Sequence, residues 1–182
     1  KVVIGGNANE NDLQIAPTVM DNVTFDDAVM QEEIFGPIMP ILTFDTLEEV
    51  IKQGTLTVGF IGLAECLKAC IGEHHGESAK ARKLGNEIVK FMRDKCDAYG
   101  QEYNLNFTCL ATPAEGLSGR FISMDKAIYG KIKGVTDKKY YTNSFHVPVY
   151  YNINAFDKIK LEAPYHALTN AGHITYVELD GD

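Results

Sequence analysis

The chain has 182 residues, of which 45% are apolar, and its 25 acidic against 17 basic residues give a formal net charge of −8. No apolar run approaches the length of about 18 residues that a membrane-spanning helix needs, which excludes that class of protein. The acidic balance also argues against a nucleic-acid partner, because broad binding to a phosphate backbone needs a basic face.

The charges are distributed unevenly along the chain. Residues 1–53 contain two basic and ten acidic residues, whereas residues 54–182 contain fifteen of each, together with all five histidines and all four cysteines. We therefore expect two parts, 1–53 and 54–182, that derive from different kinds of protein. Because no basic, apolar leader opens the sequence, we expect the cysteines to be reduced thiols in a cytoplasmic protein.

The first part is predicted to consist of short strands and one short helix. β-prone residues cover 1–6 and 13–23, and an apolar run covers 38–44. Thr46 is a suitable N-cap for a helix over 47–52, whose first turn contains two glutamates where the helix dipole favours acids. This part is therefore rich in β-structure and has no catalytic group of its own.

Two motifs in the first part carry a family resemblance. Residues 15–23 read IAPTVMDNV, and residues 29–42 read VMQEEIFGPIMPIL. Together they resemble the C-terminal part of the catalytic region of NAD(P)-dependent aldehyde dehydrogenases. The resemblance implies NAD(P) as a cofactor, with Glu33 approaching the nicotinamide ribose and Phe35 packing beside the nicotinamide ring. On the residues alone, Glu33 is a solvated or capping carboxylate and Phe35 is a core residue.

The second part begins with a predicted strand over 57–61 and a predicted helix over 62–71. Cys66 and Cys70 lie one helical turn apart on this helix, a spacing that suits two metal ligands. No Cys-x-x-Cys motif or pair of spaced histidines accompanies them, so buried thiols are the preferred interpretation.

A polar turn and the longest helix of the sequence follow. His74 and His75 are expected to face solvent or to cap a helix, with a substrate phosphate as the other candidate partner. The apolar stripe along 78–99 predicts an amphipathic helix that packs against the core. We expect Ser78 or Glu77 to open it and Gly100 to end it.

A strand, a turn and a helix start succeed one another in residues 106–121, NFTCLATPAEGLSGRF. The β-prone run ends at Pro113, which lacks the amide that a central strand needs. Small residues over 114–119 allow a tight turn, and a helix is predicted over 120–129. Free amides at a helix start attract anions, which makes the turn a candidate phosphate site. Because the spacing matches neither the P-loop nor the dinucleotide fingerprint, a plain turn is the alternative.

The remaining sequence is rich in aromatic residues. Residues 140–151 read YYTNSFHVPVYY, in which His146 is either a ligand or base or, more commonly for such a residue, a hydrogen-bonded, half-buried side chain. A short amphipathic helix is predicted over 155–163 and is expected to end before Pro164. A final strand is predicted over 174–179.

Five blocks of the second part carry another resemblance. The blocks are GFIGLAECLKA (59–69), HHGES (74–78), NLNFTCLATPAEGLSGRF (104–121), GVTDKKYYTNSFHVPVYY (134–151) and EAPYHALTNAGHITYVEL (162–179). In this order they resemble the anaerobic, class III ribonucleoside-triphosphate reductases. The resemblance implies an α/β fold, namely part of the ten-stranded α/β barrel of the glycyl-radical and ribonucleotide-reductase type, preceded by the short β-rich segment.

The same resemblance assigns binding of the substrate phosphates, mostly through the main chain, to Ala114, Glu115, Gly116, Leu117 and Ser118. It implies a ribonucleoside triphosphate as substrate, a homodimer, and a radical-SAM activating enzyme as a partner. It places a glycyl radical, a zinc site and the rest of the barrel outside this chain, and no cysteine of the chain matches the thiyl cysteine of such enzymes. We therefore predict no catalytic residue and no metal ligand within the chain.

Three functions follow from these patterns. The first is a fragment of an anaerobic ribonucleoside-triphosphate reductase that supplies a substrate-phosphate-binding turn and is inactive alone. The second is a fragment of an NAD(P)-dependent aldehyde dehydrogenase, which depends on the first 52 residues. The third is an inert or structural composite.

Overall fold

The computed structural model describes residues 1–177, which form two compact units, Lys1–Ile51 and the remainder from Lys52 onward. The elements of the first unit are β1 (Val2–Ile4), β2 (Ala8–Asn9), β3 (Gln14–Ile15), β4 (Thr18–Met20), a 3₁₀ turn (Ala28–Met30) and β5 (Ile38–Pro40). Helix α1 (Leu47–Gln53) crosses the boundary. The second unit contains β6 (Thr55–Phe60), α2 (Leu63–Ile71), α3 (Ala79–Tyr103), β7 (Asn106–Ala111), α4 (Glu115–Tyr129) and α5 (Ala155–His166).

The first unit is a small, mostly exposed β-structure. Strand β4 pairs antiparallel with β1 and parallel with β5, while β2 and β3 form a separate two-stranded ladder. Thr18 and Val23 are the buried side chains within residues 1–51. Phe35 is 89% exposed, so its assignment to a core was wrong. A unit with so little buried apolar surface gains little stability from its own core.

The second unit is built on a parallel pair of strands. β6 and β7 pair along their whole lengths, from Thr55 opposite Asn106 to Phe60 opposite Ala111. Parallel neighbours need a long crossover connection, and here α2 and α3 supply it. This strand, helix, strand order makes the chain an α/β protein, as the sequence predicted.

The core of this unit lies where the helices meet. It contains Leu63, Leu67, Val89, Ala111, Phe145 and Tyr165. The rings of Phe145 and Tyr165 stack with centroids 5.1 Å apart and planes within 8°. Because Phe145 belongs to the segment before α5 and Tyr165 to α5 itself, this stack fixes the late part of the chain against the α2–α3 pair.

The long helix α3 begins as predicted and ends later than predicted. The Ser78 hydroxyl accepts a hydrogen bond from the backbone N–H of Ala81, which caps the helix. The helix passes through Gly100 and ends at Tyr103, and its C-cap is Asn104, whose φ of 52° is in the left-handed region that asparagine also adopts. The added turn places the ring centre of Tyr103 6.3 Å from that of Phe107.

Two other predicted helix boundaries were also wrong. Helix α4 starts at Glu115 rather than at residue 120, so most of the predicted turn is its first helical turn. Helix α5 continues through Pro164 to His166, because a proline removes one hydrogen bond but is tolerated near a helix end where packing holds the backbone. Residues 174–177 are not in a strand, and the rest of that predicted strand lies outside the described residues.

The burial of two residue pairs also differs from expectation. Cys66 and Cys70 are both exposed, because α2 directs Leu63, Ala64, Glu65 and Leu67 to the interior and leaves the thiols on its outer face. His74 and His75 are fully buried rather than solvent-facing. The ring of His75 bonds to the carbonyl of Phe145, and the ring of His74 packs edge-on against Tyr150 and Tyr151.

Candidate functional site

A cavity of about 580 Å³ opens beside the start of α4. Its walls come from the first turn of α4, the aromatic segment 140–153, the start of α5 and residues 176–177. This volume is within the range of about 300 to 1,000 Å³ that is typical of small-molecule sites. The cavity therefore has room for a ligand of nucleotide size.

The loop after β7 leaves the start of α4 without a side-chain cap. Ala114, the N-cap residue, has no side chain that can accept a hydrogen bond, and the first helical bond runs from the N–H of Ser118 to the carbonyl of Ala114. The amides of Glu115, Gly116 and Leu117 have no hydrogen-bond partner within residues 1–177. Unpaired amides at a helix start carry partial positive charge and bind anions.

The five predicted phosphate-binding residues do not all face the cavity. Glu115 and Ser118 line it, whereas Ala114 is buried beneath the turn. Gly116 and Leu117 are exposed, and a Cβ added at Gly116 would meet no atom within 4 Å. The Ser118 hydroxyl donates to the carbonyl of Glu115 at 3.2 Å. Its proton is therefore already used, and Ser118 would contact a ligand as part of the cavity wall.

The aromatic wall is tied to α4 and α2 by hydrogen bonds. Tyr141 donates from its backbone N–H to the carbonyl of Ser118 (3.3 Å) and from its hydroxyl to Asp125 (2.7 Å). Thr142 donates to the buried Glu65 carboxylate from its N–H (3.1 Å) and its hydroxyl (2.7 Å). Burial raises the pKa of Glu65 despite these bonds. These contacts hold the wall at a fixed distance from the helix start.

A buried carboxylate organises another part of the cavity wall. Glu162 is fully buried and accepts hydrogen bonds from the N–H of Val147 (2.9 Å), from Lys158 Nζ (2.6 Å) and from His146 Nδ1 (3.3 Å). Burial alone would raise the pKa of Glu162, but the bonds from His146, Lys158 and Val147 and the Lys158 charge hold it below its usual range. Both His146 and Lys158 line the cavity.

A second buried histidine supports this wall from behind. His75 Nε2 lies 2.8 Å from the carbonyl oxygen of Phe145, so Nε2–H donates this hydrogen bond. Burial lowers the pKa of His75 to about 4. The role of His75 is therefore to hold the backbone beside His146.

Sequence reasoning identified His146 as a candidate but missed Glu162 and Lys158. The signal available was the i, i+4 spacing of Lys158 and Glu162 on a predicted helix, which normally indicates an exposed ion pair. Nothing in the sequence indicated that the glutamate is buried. That follows only from the packing of α5 against the segment that contains Phe145.

The other residues and groups that the resemblances imply are not part of this cavity wall. Among residues 1–177, no three histidine, cysteine or acidic side chains come together to hold a metal ion, so a zinc site does not fit this part of the chain. Glu33 and Phe35 both lie exposed in the first unit. No helix of the described chain has the length and apolar character required to cross a bilayer.

The fold and the cavity define an α/β protein with a nucleotide-sized pocket beside a helix start. The structure of the anaerobic ribonucleotide reductase from Thermotoga maritima with glycerol in the active site matches 69% of this chain with a TM-score of 0.58 and 17% identity, over 21% of that protein. The family model for anaerobic ribonucleoside-triphosphate reductase matches residues 11–182. The chain belongs to the anaerobic ribonucleoside-triphosphate reductase family.

Two curated relatives show the extent of each resemblance. The anaerobic ribonucleoside-triphosphate reductase of Salmonella typhimurium is 42% identical over 137 residues, which are 74% of this chain and 19% of that enzyme. The 4,4'-diaponeurosporen-aldehyde dehydrogenase of Staphylococcus aureus is 56% identical over 50 residues, 28% of this chain and 11% of that enzyme. The two predicted resemblances are confirmed, and the chain spans about a fifth of the length of the reductase.

Proposed function

We propose that this chain is a piece of an anaerobic ribonucleoside-triphosphate reductase that holds the substrate's phosphates at the start of α4. The observation that carries the proposal is the run of three unpaired amides at the start of α4, of which the first, at Glu115, belongs to a residue that lines the 580 Å³ cavity. A triphosphate needs several donors and positive charge, and Glu115, Gly116 and Leu117 supply three free N–H groups at the positive end of a 15-residue helix.

A positive side chain near the cavity adds to this attraction. The Lys138 ammonium lies 4.6 Å from the ring centre of Tyr150, a lining residue, whereas the charge of Lys158, which also lines the cavity, is already paired with Glu162 at 2.6 Å. The Glu115 carboxylate opposes an anion, so the proposed contribution of this residue is its backbone N–H. The main-chain character of the site agrees with the role that the family resemblance implies.

The same proposal includes the barrel architecture, the groups outside the chain and the origin of residues 1–53. The parallel β6–β7 pair with its helical crossover fits two neighbouring strands of a ten-stranded barrel, of which 54–182 supply a portion. The glycyl radical, the zinc site, an activating enzyme and a dimer partner belong to the complete enzyme. Residues 1–53 form a separate segment of aldehyde-dehydrogenase type.

The phosphate site is tested by removing one amide. Proline is favoured at the first position of a helix, so Glu115→Pro deletes the N–H while preserving α4. The matched control, Glu115→Ala, removes the same carboxylate but retains the N–H. Loss of one charge-assisted hydrogen bond lowers affinity about tenfold.

We therefore expect Glu115→Pro to bind inorganic tripolyphosphate about tenfold more weakly than Glu115→Ala by calorimetry. The alanine variant should bind at least as tightly as the wild type, because it lacks the repelling carboxylate. Equal affinity of the two variants would mean that the helix start does not hold phosphate.

A second candidate function is supported by the segment that is 56% identical to an aldehyde dehydrogenase. In that reading, Glu33 and Phe35 contact the nicotinamide ribose and ring of NAD(P). Both side chains are exposed and open to a ligand. A titration with NAD⁺ that shifts the amide resonances of residues 33–35, and loses that effect in Phe35→Ala, would favour it. If the chain responds neither to NAD⁺ nor to tripolyphosphate, the remaining hypothesis is an inert or structural composite.

A further inference from the structure

The orientation of His146 in the cavity wall is fixed by the Glu162 carboxylate. Glu162 meets Nδ1 at 3.3 Å, and its other oxygen is held by Lys158 and by the N–H of Val147. The Glu162 side chain is fully buried, and the His146 side chain is 9% exposed. An ionised carboxylate only accepts hydrogen bonds, so Nδ1 of His146 carries a proton.

The other ring nitrogen, Nε2, is an acceptor in the neutral ring that carries its proton on Nδ1, and a donor in the doubly protonated ring. Nε2 makes no hydrogen bond to any residue in the described range 1–177, and the ring lines the cavity beside Tyr176, with ring centres 5.2 Å apart. When the ring is neutral, a ligand in the cavity meets a hydrogen-bond acceptor at this position.

Two parts of the cavity wall thus offer different chemistry. The start of α4 presents donors, which suit phosphate oxygens, whereas His146 Nε2 accepts and suits a hydroxyl group. A ribonucleotide carries both groups, with anionic oxygens at one end and sugar hydroxyls beside the base. Phosphate oxygens accept only, so they do not satisfy Nε2 of a neutral ring.

We propose that His146 Nε2 accepts a hydrogen bond from a ribose hydroxyl of the bound nucleotide, and that Glu162 positions the ring to do so. The proposal rests on the proposed function for the substrate class. It adds a sugar-reading residue to a site whose phosphate contacts are main-chain. His146 is a binding residue here, and Glu162 acts through it.

Nucleosides, which have the sugar and base but no phosphate, test the sugar contact separately from the phosphate contact. Adenosine and 2′,3′-dideoxyadenosine differ only in the two hydroxyls, so their affinity ratio reports the acceptor directly. We expect the chain to bind adenosine about 3- to 10-fold more tightly, which is the effect of one neutral hydrogen bond. In ¹⁵N-histidine spectra, adenosine should shift Nε2 of His146 and dideoxyadenosine should not.

Variants then assign the preference to a residue. His146→Phe retains a flat ring but has no acceptor, so the adenosine preference should fall to about one. His173→Gln is the matched control, because His173 is exposed and lies outside the cavity wall. It should keep the preference. If His146→Phe keeps it too, the proposal is wrong.

The role of Glu162 has its own readout. Glu162→Gln retains an acceptor oxygen but loses the charge that favours the proton on Nδ1. We expect the ¹⁵N spectrum to show a larger share of the tautomer protonated at Nε2, with a smaller adenosine preference. A variant that folds with an unchanged tautomer and unchanged preference would exclude positioning by Glu162.

Tripolyphosphate separates the failure of this proposal from failure of the proposed function. Binding of tripolyphosphate without discrimination between the two nucleosides overturns the His146 contact and keeps the phosphate site. Discrimination without tripolyphosphate binding supports the His146 contact and removes the phosphate site. If neither nucleoside binds, the His146 contact is also overturned.

Discussion

At the residue scale, the buried imidazole of His75 makes folding stability depend on pH. Burial lowers the pKa of His75 from an ordinary value of 6.5 to about 4. Between these values the unfolded chain binds a proton that the folded chain does not, so stability falls as the pH decreases from about 6.5 towards 4. The neutral, hydrogen-bonded ring is therefore a stabilising feature only near and above neutral pH.

This dependence can be measured by urea unfolding. Between about pH 7 and pH 4.5 the His75 contribution to the free energy of unfolding should decrease by about 2 kcal/mol. His75→Gln, which does not titrate, should show a flatter dependence over the same range. Parallel pH profiles for wild type and variant would contradict the assignment.

The carboxylate of Glu162 should be the costliest polar group to remove. Truncation by Glu162→Ala leaves Lys158, His146 Nδ1 and the Val147 amide without their acceptor. Breaking a buried charge pair in this way costs about 3 to 5 kcal/mol. The control is Glu87→Ala, which removes an exposed partner of Lys83 and should cost less than about 1 kcal/mol.

Unfolding of both variants in urea at neutral pH checks the difference. If Glu162→Ala lowers the free energy of unfolding no more than Glu87→Ala does, the buried network is not formed in solution. The pH dependence of unfolding in acid provides a second test of the Glu162 network. Because the pKa of Glu162 is held below its usual 4.5, its contribution is present above about pH 4.5 and is lost as the pH falls through its folded value.

Only local chemistry was predictable from the sequence at this scale. The Ser78 cap joins residues three positions apart, and the sequence predicted it. The bond from His75 to Phe145 spans 70 positions, and the bond from His146 to Glu162 spans 16. Partners so far apart meet because the core of the second unit packs, and sequence spacing carries no signal for that.

At the element scale, a single glycine sets the distance between α3 and its neighbours. A Cβ at Gly85 would lie 2.6 Å from the Tyr165 hydroxyl and 3.3 Å from a methyl group of Leu67. Alanine is normally favoured over glycine within a helix by about 1 kcal/mol. Here the clash with α5 and α2 outweighs that preference, since overpacking costs about 1 to 3 kcal/mol.

We expect Gly85→Ala to lower the free energy of unfolding by about 1 to 2 kcal/mol. The matched control is Gly119→Ala in α4, where the nearest atom to the new Cβ is the Lys139 carbonyl oxygen at 3.8 Å. That variant should be as stable as the wild type or up to about 1 kcal/mol more stable. If Gly85→Ala is also stabilising, the close packing of α3 is not present.

The elements themselves were easier to predict than their ends. The apolar stripe of α3 and the β-prone run of β7 gave the correct types, because burial on one face imposes a period on the sequence. Their ends depend on competition between residues. Asn104 ended α3 in place of Gly100, and packing carried α5 through Pro164. The start of α4 at Glu115 turned a predicted loop into a helical turn.

At the scale of the whole molecule, the β6–β7 pair has an incompletely covered surface. Parallel sheets are usually buried on both faces, yet Leu56 and Val58 are 48% and 41% exposed. The chain spans about a fifth of the length of the Salmonella reductase. The sequence did not predict what lies beside this strand pair, because the neighbours of a strand in a sheet can be distant in sequence. The α/β class needs only the local strand, helix, strand order.

The two compact units should also differ in local stability. Within Lys1–Ile51 only Thr18 and Val23 are buried, whereas the second unit has a core of six residues that includes Val89. Local opening is easiest where few apolar groups are buried. We therefore expect the backbone amides of β4 and β5 to exchange with deuterium at least about 100-fold faster than that of Val89.

Hydrogen exchange of the full chain, followed by NMR at two low urea concentrations, measures this difference. The β4 and β5 amides should exchange through local openings that are insensitive to urea, because little surface is exposed when they open. The Val89 amide should exchange through opening of the whole second unit and accelerate with urea. Equal protection and equal urea sensitivity in both units would instead mean that residues 1–51 fold cooperatively with the second unit, and the interpretation as two separate segments would have to be abandoned.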